Sequence, residues 1–145
     1  MQTLSDHILD IAQNSIRAQA SRVEIKLQEN ITKDSLVITI RDNGCGMDET
    51  TVAKVTDPFF TSRTVRKVGL GIPLFKQNAE ATGGTLKIKS KPGEGTTIEA
   101  SFGLLHWDRP PMGDIAGSIV ILVSANPEIN FIYRHTTEKG EYTFD

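Results

Sequence analysis

Apolar residues recur along this chain with two different periods, and the switches between them lay out its elements. Leu4, Ile8, Ile11, Ala12 and Ile16 fall at helical spacing, which predicts a core-facing helix from about Leu4 to Ala20 with Ser5 and Asp6 as candidate caps. From Arg22 the period drops to two: Val23, Ile25 and Leu27 alternate with Arg22, Glu24 and Lys26, the pattern of a half-buried strand. Asn30 to Asp34 is turn chemistry, and Ser35 to Arg41 reads as the antiparallel partner of the first strand. A short helix is expected from Asp48 through Val55. The stretch Thr61 to Lys67 is polar and basic, has no apolar period and reads as a loop. A helix from Gly71 to about Thr82 tolerates Pro73 in its first turn and is stopped by Gly83-Gly84. Thr85–Ser90 and Thr96–Phe102 form strands around Pro92-Gly93-Glu94-Gly95. After a loop with Trp107, the apolar run Ser118 to Ser124 reads as a strand, and Asn130–His135 with Glu141–Phe144 as a closing hairpin.

Helices grouped with a mixed, mostly antiparallel sheet predict an α+β fold of two layers, with helices on one face. Residues 1–103 are expected to form the core, and residues 104–145 a β-rich extension packed on the same domain. A chain of 145 residues is long enough to bury one core. Its formal net charge of −2 gives no global attraction to nucleic acid or an anionic membrane, and no apolar run approaches a membrane span. Met1 to Asp10 lacks the layout of a secretory signal. One cysteine, Cys45, excludes an internal disulfide and a cysteine zinc site. A cytoplasmic protein without nucleic-acid or membrane partners is expected.

Candidate chemistry gathers at three places. Asp42-Asn43-Gly44-Cys45-Gly46-Met47 follows the second strand, holding a carboxylate at the strand end while two glycines permit a sharp turn and a close backbone approach. On the first helix Asp10, Asn14 and Arg17 fall within about 40° of one another, so a carboxylate, an amide and a guanidinium share a stripe. Gly69-Leu70-Gly71 enters a helix N-terminus, whose free N–H groups and positive dipole end suit phosphate, with Arg63, Arg66 and Lys67 just before it. The spacing is neither that of the P-loop nor that of the dinucleotide fingerprint. An anion site, an acidic acceptor for an amino group and an amide-bearing helix together describe a purine nucleotide with a hydrated Mg²⁺ ion.

In order, Asn14, Asp42-x-Gly44-x-Gly46, Asp57-Pro58-Phe59-Phe60 and Gly69-Leu70-Gly71 resemble the N, G1, F and G2 boxes of the GHKL ATPases, over roughly residues 4 to 103. That superfamily takes in gyrase, the large heat-shock chaperone, the mismatch-repair ATPases and the sensor histidine kinases. The resemblance implies a two-layer sandwich of the Bergerat type that binds ATP with Mg²⁺. It implies that Asn14 coordinates Mg²⁺, that Asp42 accepts from the adenine amino group, and that Gly44 and Gly46 let backbone pass close to the base. Thr96 would support the adenine end, Gly69 and Gly71 would wrap the phosphates around Leu70, and Lys67 or Arg63 would pair with their charge. Phe59 and Phe60 would anchor the lid.

Two details are similar to the histidine-kinase branch: Arg17 three residues after Asn14, and the short Pro-Phe-Phe-Thr-Ser-Arg lid. Hydrolytic branches place Glu four residues before the asparagine; Asp10, one methylene shorter, is a weak candidate base or a group holding Mg²⁺ waters. A domain without a helical hairpin and phosphoacceptor histidine before it is expected, and His7 reads as an ordinary helix histidine. Cys45 is expected to be an inert thiol, reactive only if exposed. The expectation is a histidine-kinase-like domain lacking its own phosphoacceptor, transferring the γ-phosphoryl group to a side chain of a partner protein that is acceptor or regulator. The rival readings are an ATP hydrolase with lid-coupled dimerisation and a nucleotide-dependent binding module. The apolar run 118–123 makes a homodimer one reading of the extension, and burial within the domain the simpler one.

Overall fold

The computed structural model describes residues 3–55, 71–104, 109, 111–137 and 140–144. Helix α1 (Leu4–Arg17) starts at a capping box: the Thr3 hydroxyl accepts from the Asp6 N–H at 3.1 Å, and Asp6 Oδ2 accepts from the Thr3 N–H at 2.9 Å. Thr3, not Ser5, is thus the cap, with Asp6 its reciprocal partner. Ser5 lies inside the helix, buried, its hydroxyl 3.1 Å from that of Thr3. The helix stops short of Ala20, because Gln19 takes a φ of +63°. Leu4, Ile8, Ile11 and Ala12 are buried in the core, as their spacing requires.

Strands β1 (Arg22–Asn30) and β2 (Ser35–Asp42) pair antiparallel, Ile25 opposite Ile40 and Leu27 opposite Ile38. With β3 (Leu86–Lys91), β4 (Gly95–Gly103), β5 (Asn130–Thr137) and β6 (Gly140–Phe144) they form one sheet in the order β3-β4-β2-β1-β5-β6. Neighbours are antiparallel except β1 with β5. The remaining helices are α2 (Glu49–Val55), α3 (Gly71–Ala81) and α4 (Ile115–Ala125). Asp48 caps α2, accepting from the Thr51 N–H at 2.8 Å, a bond that holds its carboxyl below the usual range. Behind α3, Gly83 at φ +82° turns the chain back, and the Gly84 N–H bonds to the Ala79 carbonyl at 3.0 Å.

The apolar run 118–123 is not a strand. It belongs to α4, which Asp114 caps by accepting from the Gly117 N–H at 3.0 Å. The register explains why a helix is needed. β4 is antiparallel to β2, and β2 to β1, so β4 runs in the same direction as β5 and the link between them must cross over the sheet. Ile115, Ile119 and Leu122 form the buried stripe of that crossover, whereas Val120 and Ile121 are each 60% exposed. Tertiary burial overrides the strand preference of the β-branched residues.

His7 fastens α1 to α3. Its ring is fully buried and stacks on Phe75 at 4.9 Å between centroids, and Nε2 lies 2.7 Å from Asn78 Nδ2. Nδ1 has no hydrogen-bond partner among the described residues. Burial pushes the pKa of His7 down, opposed by the charges of Asp10 and Asp6. An enclosed ring of this kind packs two helices together and is out of reach of a phosphoryl donor.

Both the crossover helix and the buried histidine can be tested by stability. Leu122→Ala should cost about 2–5 kcal/mol in urea unfolding, while Val120→Ala should stay within about 0.5 kcal/mol. Because folding lowers the pKa of His7, the unfolded chain binds its proton more readily. The His7 contribution is complete above about pH 6.5 and is lost as the pH falls below it. His7→Phe, which keeps the stack on Phe75, should remove that component from unfolding curves recorded between pH 5 and 8.

Candidate functional site

The sheet register delivers the first polar groups of the site. Ile40 stands opposite Ile98 and Asp42 opposite Thr96, so the Asp42–Thr96 pair continues the core-facing side of β2 and β4 at the end of the sheet. The last turn of α1 passes over that end. Between them lies a cavity of about 330 Å³ with apolar walls from Ile11, Ile40, Met47, Ile72 and Ile98 and polar groups from Asn14, Ser15, Arg17, Asp42, Thr51 and Thr96. An apolar slot with a few convergent polar groups is the general form of a small-molecule site.

The Asp42 carboxylate is fixed from two sides. Ser15 Oγ donates to Oδ2 at 2.6 Å, and the Gly44 N–H donates to Oδ1 at 2.8 Å. Each oxygen keeps acceptor capacity. The turn behind Asp42 exists only because it is made of glycine. A β-carbon on Gly44 would come within 2.8 Å of Ala18, and one on Gly46, where φ is +73°, would fall 1.9 Å from the Lys91 carbonyl oxygen. The turn is clamped on one side by the Cys45 N–H to the Ala18 carbonyl at 2.9 Å, and on the other by the Gly93 N–H to the Cys45 carbonyl at 2.6 Å. Asn43 Oδ1 accepts from the N–H groups of Ser21 and Arg22, both at 2.9 Å.

Thr96 is polarised by Ser90. Ser90 Oγ donates its one proton to the Gly95 carbonyl at 3.0 Å, accepts from the Met47 N–H at 2.8 Å, and lies 2.8 Å from Thr96 Oγ1. With that proton committed, the Thr96 hydroxyl donates to Ser90 and turns lone pairs to the cavity. Asp42 and Thr96 together make a floor of acceptors, which suits an amino group such as the adenine N6. Neither Ser15 nor Ser90 is marked by the sequence motifs. Ser15 had one signal available: a hydroxyl on the buried stripe of α1 needs a partner.

Asn14, Arg17, Asp42, Gly46 and Thr96 all line the cavity, and Gly44 lies buried beneath Asp42. Asp10 is not among the lining residues; its charge is felt instead by His7. Gly71 opens α3 beside the cavity residue Ile72. Arg63, Lys67, Gly69, Leu70 and the Phe59-Phe60 pair lie outside the described residues. Cys45 lines the cavity with a free, exposed thiol. Arg17 Nη1 donates to Asn14 Oδ1 at 2.9 Å, so the amide oxygen expected to meet Mg²⁺ is held here by a cation. A hard oxygen donor fits Mg²⁺, which keeps several waters and leans on substrate phosphates.

A two-layer sandwich with a carboxylate-floored cavity at the strand ends defines a nucleotide-binding domain of the Bergerat type. Residues 2–106 match the family described as "Histidine kinase-, DNA gyrase B-, and HSP90-like ATPase", and the chain belongs to that family. A putative sensor protein of Shewanella frigidimarina (strain NCIMB 400) is 31% identical over 109 residues, 74% of this chain and 17% of the relative. The signal transduction histidine-protein kinase AtoS of Escherichia coli (strain K12) is 36% identical over 96 residues, covering 66% of this chain and 16% of that protein. Sensor protein kinase FleS of Pseudomonas aeruginosa is 38% identical over 94 residues, 65% of this chain and 23% of the relative. This chain thus spans less than a quarter of the length of these relatives. Among solved structures, the N-terminal domain of a DNA repair protein superposes with a TM-score of 0.67 at 17% identity, over 99% of this chain and 52% of that one. That likeness is one of fold.

Asp42→Asn should weaken ADP binding about 10- to 100-fold by calorimetry, the scale of a hydrogen bond to a charged group. Ser15→Ala should weaken it about 3- to 10-fold, by freeing the carboxylate to rotate away from the base.

Proposed function

We propose that this chain is an ATP·Mg²⁺-binding catalytic domain that transfers the γ-phosphoryl group to a side chain of a partner protein. The fixed Asp42 carboxylate at the cavity floor carries the reading: it presents acceptors where adenine presents its amino group. Asn14 and Arg17 supply an oxygen donor and a cation for the phosphate end. In this reading Asn14 Oδ1 would hold the metal and Arg17 would stand beside the phosphates. Bound Mg²⁺ would neutralise phosphate charge; the chain's own part is to orient the nucleotide and exclude water from the base. The relatives' kinase names support transfer over hydrolysis, as does the position of Asp10 away from the cavity lining. The nucleophile and any base for it would come with the acceptor.

Incubating the chain alone with γ-labelled ATP should give negligible phosphate release, unchanged by Asp10→Ala. Addition of extract from the source cells should yield a labelled protein, and Asp42→Asn should abolish the label. Steady release by the chain alone that Asp10→Ala removes would assign it to the hydrolases. Nucleotide binding with neither release nor label would make it a binding module.

A further inference from the structure

The sheet has a second face, and its charge is not accounted for by the fold. Helices α1, α3 and α4 lie on the inner face, and α2 packs at the β3 edge, where Glu49, Val52 and Ala53 share a depression with Lys89 and Lys91. The outward residues of the other strands carry no helix among the described residues. One solvated face is ordinary for a largely antiparallel sheet. This one is biased: Lys87, Lys89 and Lys91 on β3, Arg41 on β2, Lys26 on β1 and Arg134 on β5 all stand on it, in a chain whose formal charge is −2. Of the carboxylates on the same face, Glu24 is engaged by Arg22 at 3.1 Å.

The β3 lysines have a structural explanation, since lysine on an edge strand discourages further strand addition. Lys26 and Arg134 have none. They lie on interior strands and are direct partners in the parallel β1–β5 pair. Neither makes an ion pair among the described residues. Like charges side by side on one sheet face oppose folding. The nearest carboxylate on the face is Glu24, two residues before Lys26 and directly opposite Arg41, and it is already engaged by Arg22. On its other side Lys26 meets Thr39, with Glu99 one strand further, about 9.6 Å away at two strand spacings. Next to the cationic pair a depression of about 160 Å³ is lined by Glu24, Lys26, Thr39, Arg41 and Thr97.

We propose that this open face docks an acidic surface of a partner protein, with carboxylates received between Lys26 and Arg134 and beside Arg41. Charge complementarity selects this occupant. A nucleic acid fits less well: no described outward residue is an aromatic on which bases could stack. The face lies across the sheet from the nucleotide cavity, so the proposal stands independently of what that cavity binds.

The test is fluorescence anisotropy with a labelled oligoglutamate, with a DNA duplex of equal charge run alongside. The oligoglutamate should bind at low ionic strength and weaken steeply as salt passes about 0.15 M. The double variant Lys26→Gln/Arg134→Gln should bind about tenfold or more weakly, with a thermal midpoint equal to or above the parent's because the repulsion is gone. Arg41→Gln should weaken binding in the same direction. A lowered midpoint in the double variant would mark the pair as structural and overturn the proposal. So would absence of oligoglutamate binding. Tighter binding of the duplex would give the face to nucleic acid instead.

Discussion

The site depends on keeping one carboxylate still. Asp42 stands half-buried at the end of β2, and its carboxylate is held by fixed donors. One donor comes from α1, the Ser15 hydroxyl, and one from its own turn, the Gly44 N–H. Both require backbones to approach more closely than side chains allow. Gly95 completes the set, since a β-carbon there would fall 2.0 Å from the Asp42 carbonyl oxygen. With the turn drawn against α1 on one side and the β3–β4 hairpin on the other, the space in front of Asp42 stays open as a cavity.

Most of this frame was legible in the sequence because it is periodic. Alternation at Val23, Ile25 and Leu27 and helical spacing at Leu4, Ile8 and Ile11 each report a single buried face. The residues on the matched motifs, Asn14, Asp42, Gly46 and Thr96, do converge on one cavity. The features that were not legible have no period. In α4 the stripe Ile115, Ile119 and Leu122 is masked by Val120, Ile121 and Val123 around it, so a helix apolar all round reads as a strand. Only the direction of β5 along β1 reveals that a crossover is needed, and register is a property of the whole sheet. Ser90 acts through Thr96, a partner six residues on and across a hairpin, and Lys26 meets Arg134 across more than a hundred residues.

The segment after residue 106 is woven into the domain. β5 adds to the sheet beside β1, and α4 packs along α1. α1, which carries Asn14, Ser15 and Arg17, is thereby gripped by α3 through His7, Phe75 and Asn78, and by α4 through its buried stripe. A site built on one helix gains precision from neighbours that fix that helix. The superposition on the DNA repair domain, covering 99% of this chain, extends over this segment as well.

The cavity is polarised from end to end. Its floor, Asp42 and Thr96, is a pure acceptor surface; its α1 side carries the Arg17 guanidinium and the Asn14 amide. A ligand matching that order has an amino group at one end and anionic oxygens toward the other, which is the order of an adenine nucleotide. The same polarity constrains the chemistry open to a bound nucleotide. Among the described residues Asp42 is the one carboxylate lining the cavity, and it is already engaged by Ser15 and Gly44 at the base end. That carboxylate serves the base end, while the polar groups that α1 brings to the cavity are a hydroxyl, an amide and a guanidinium.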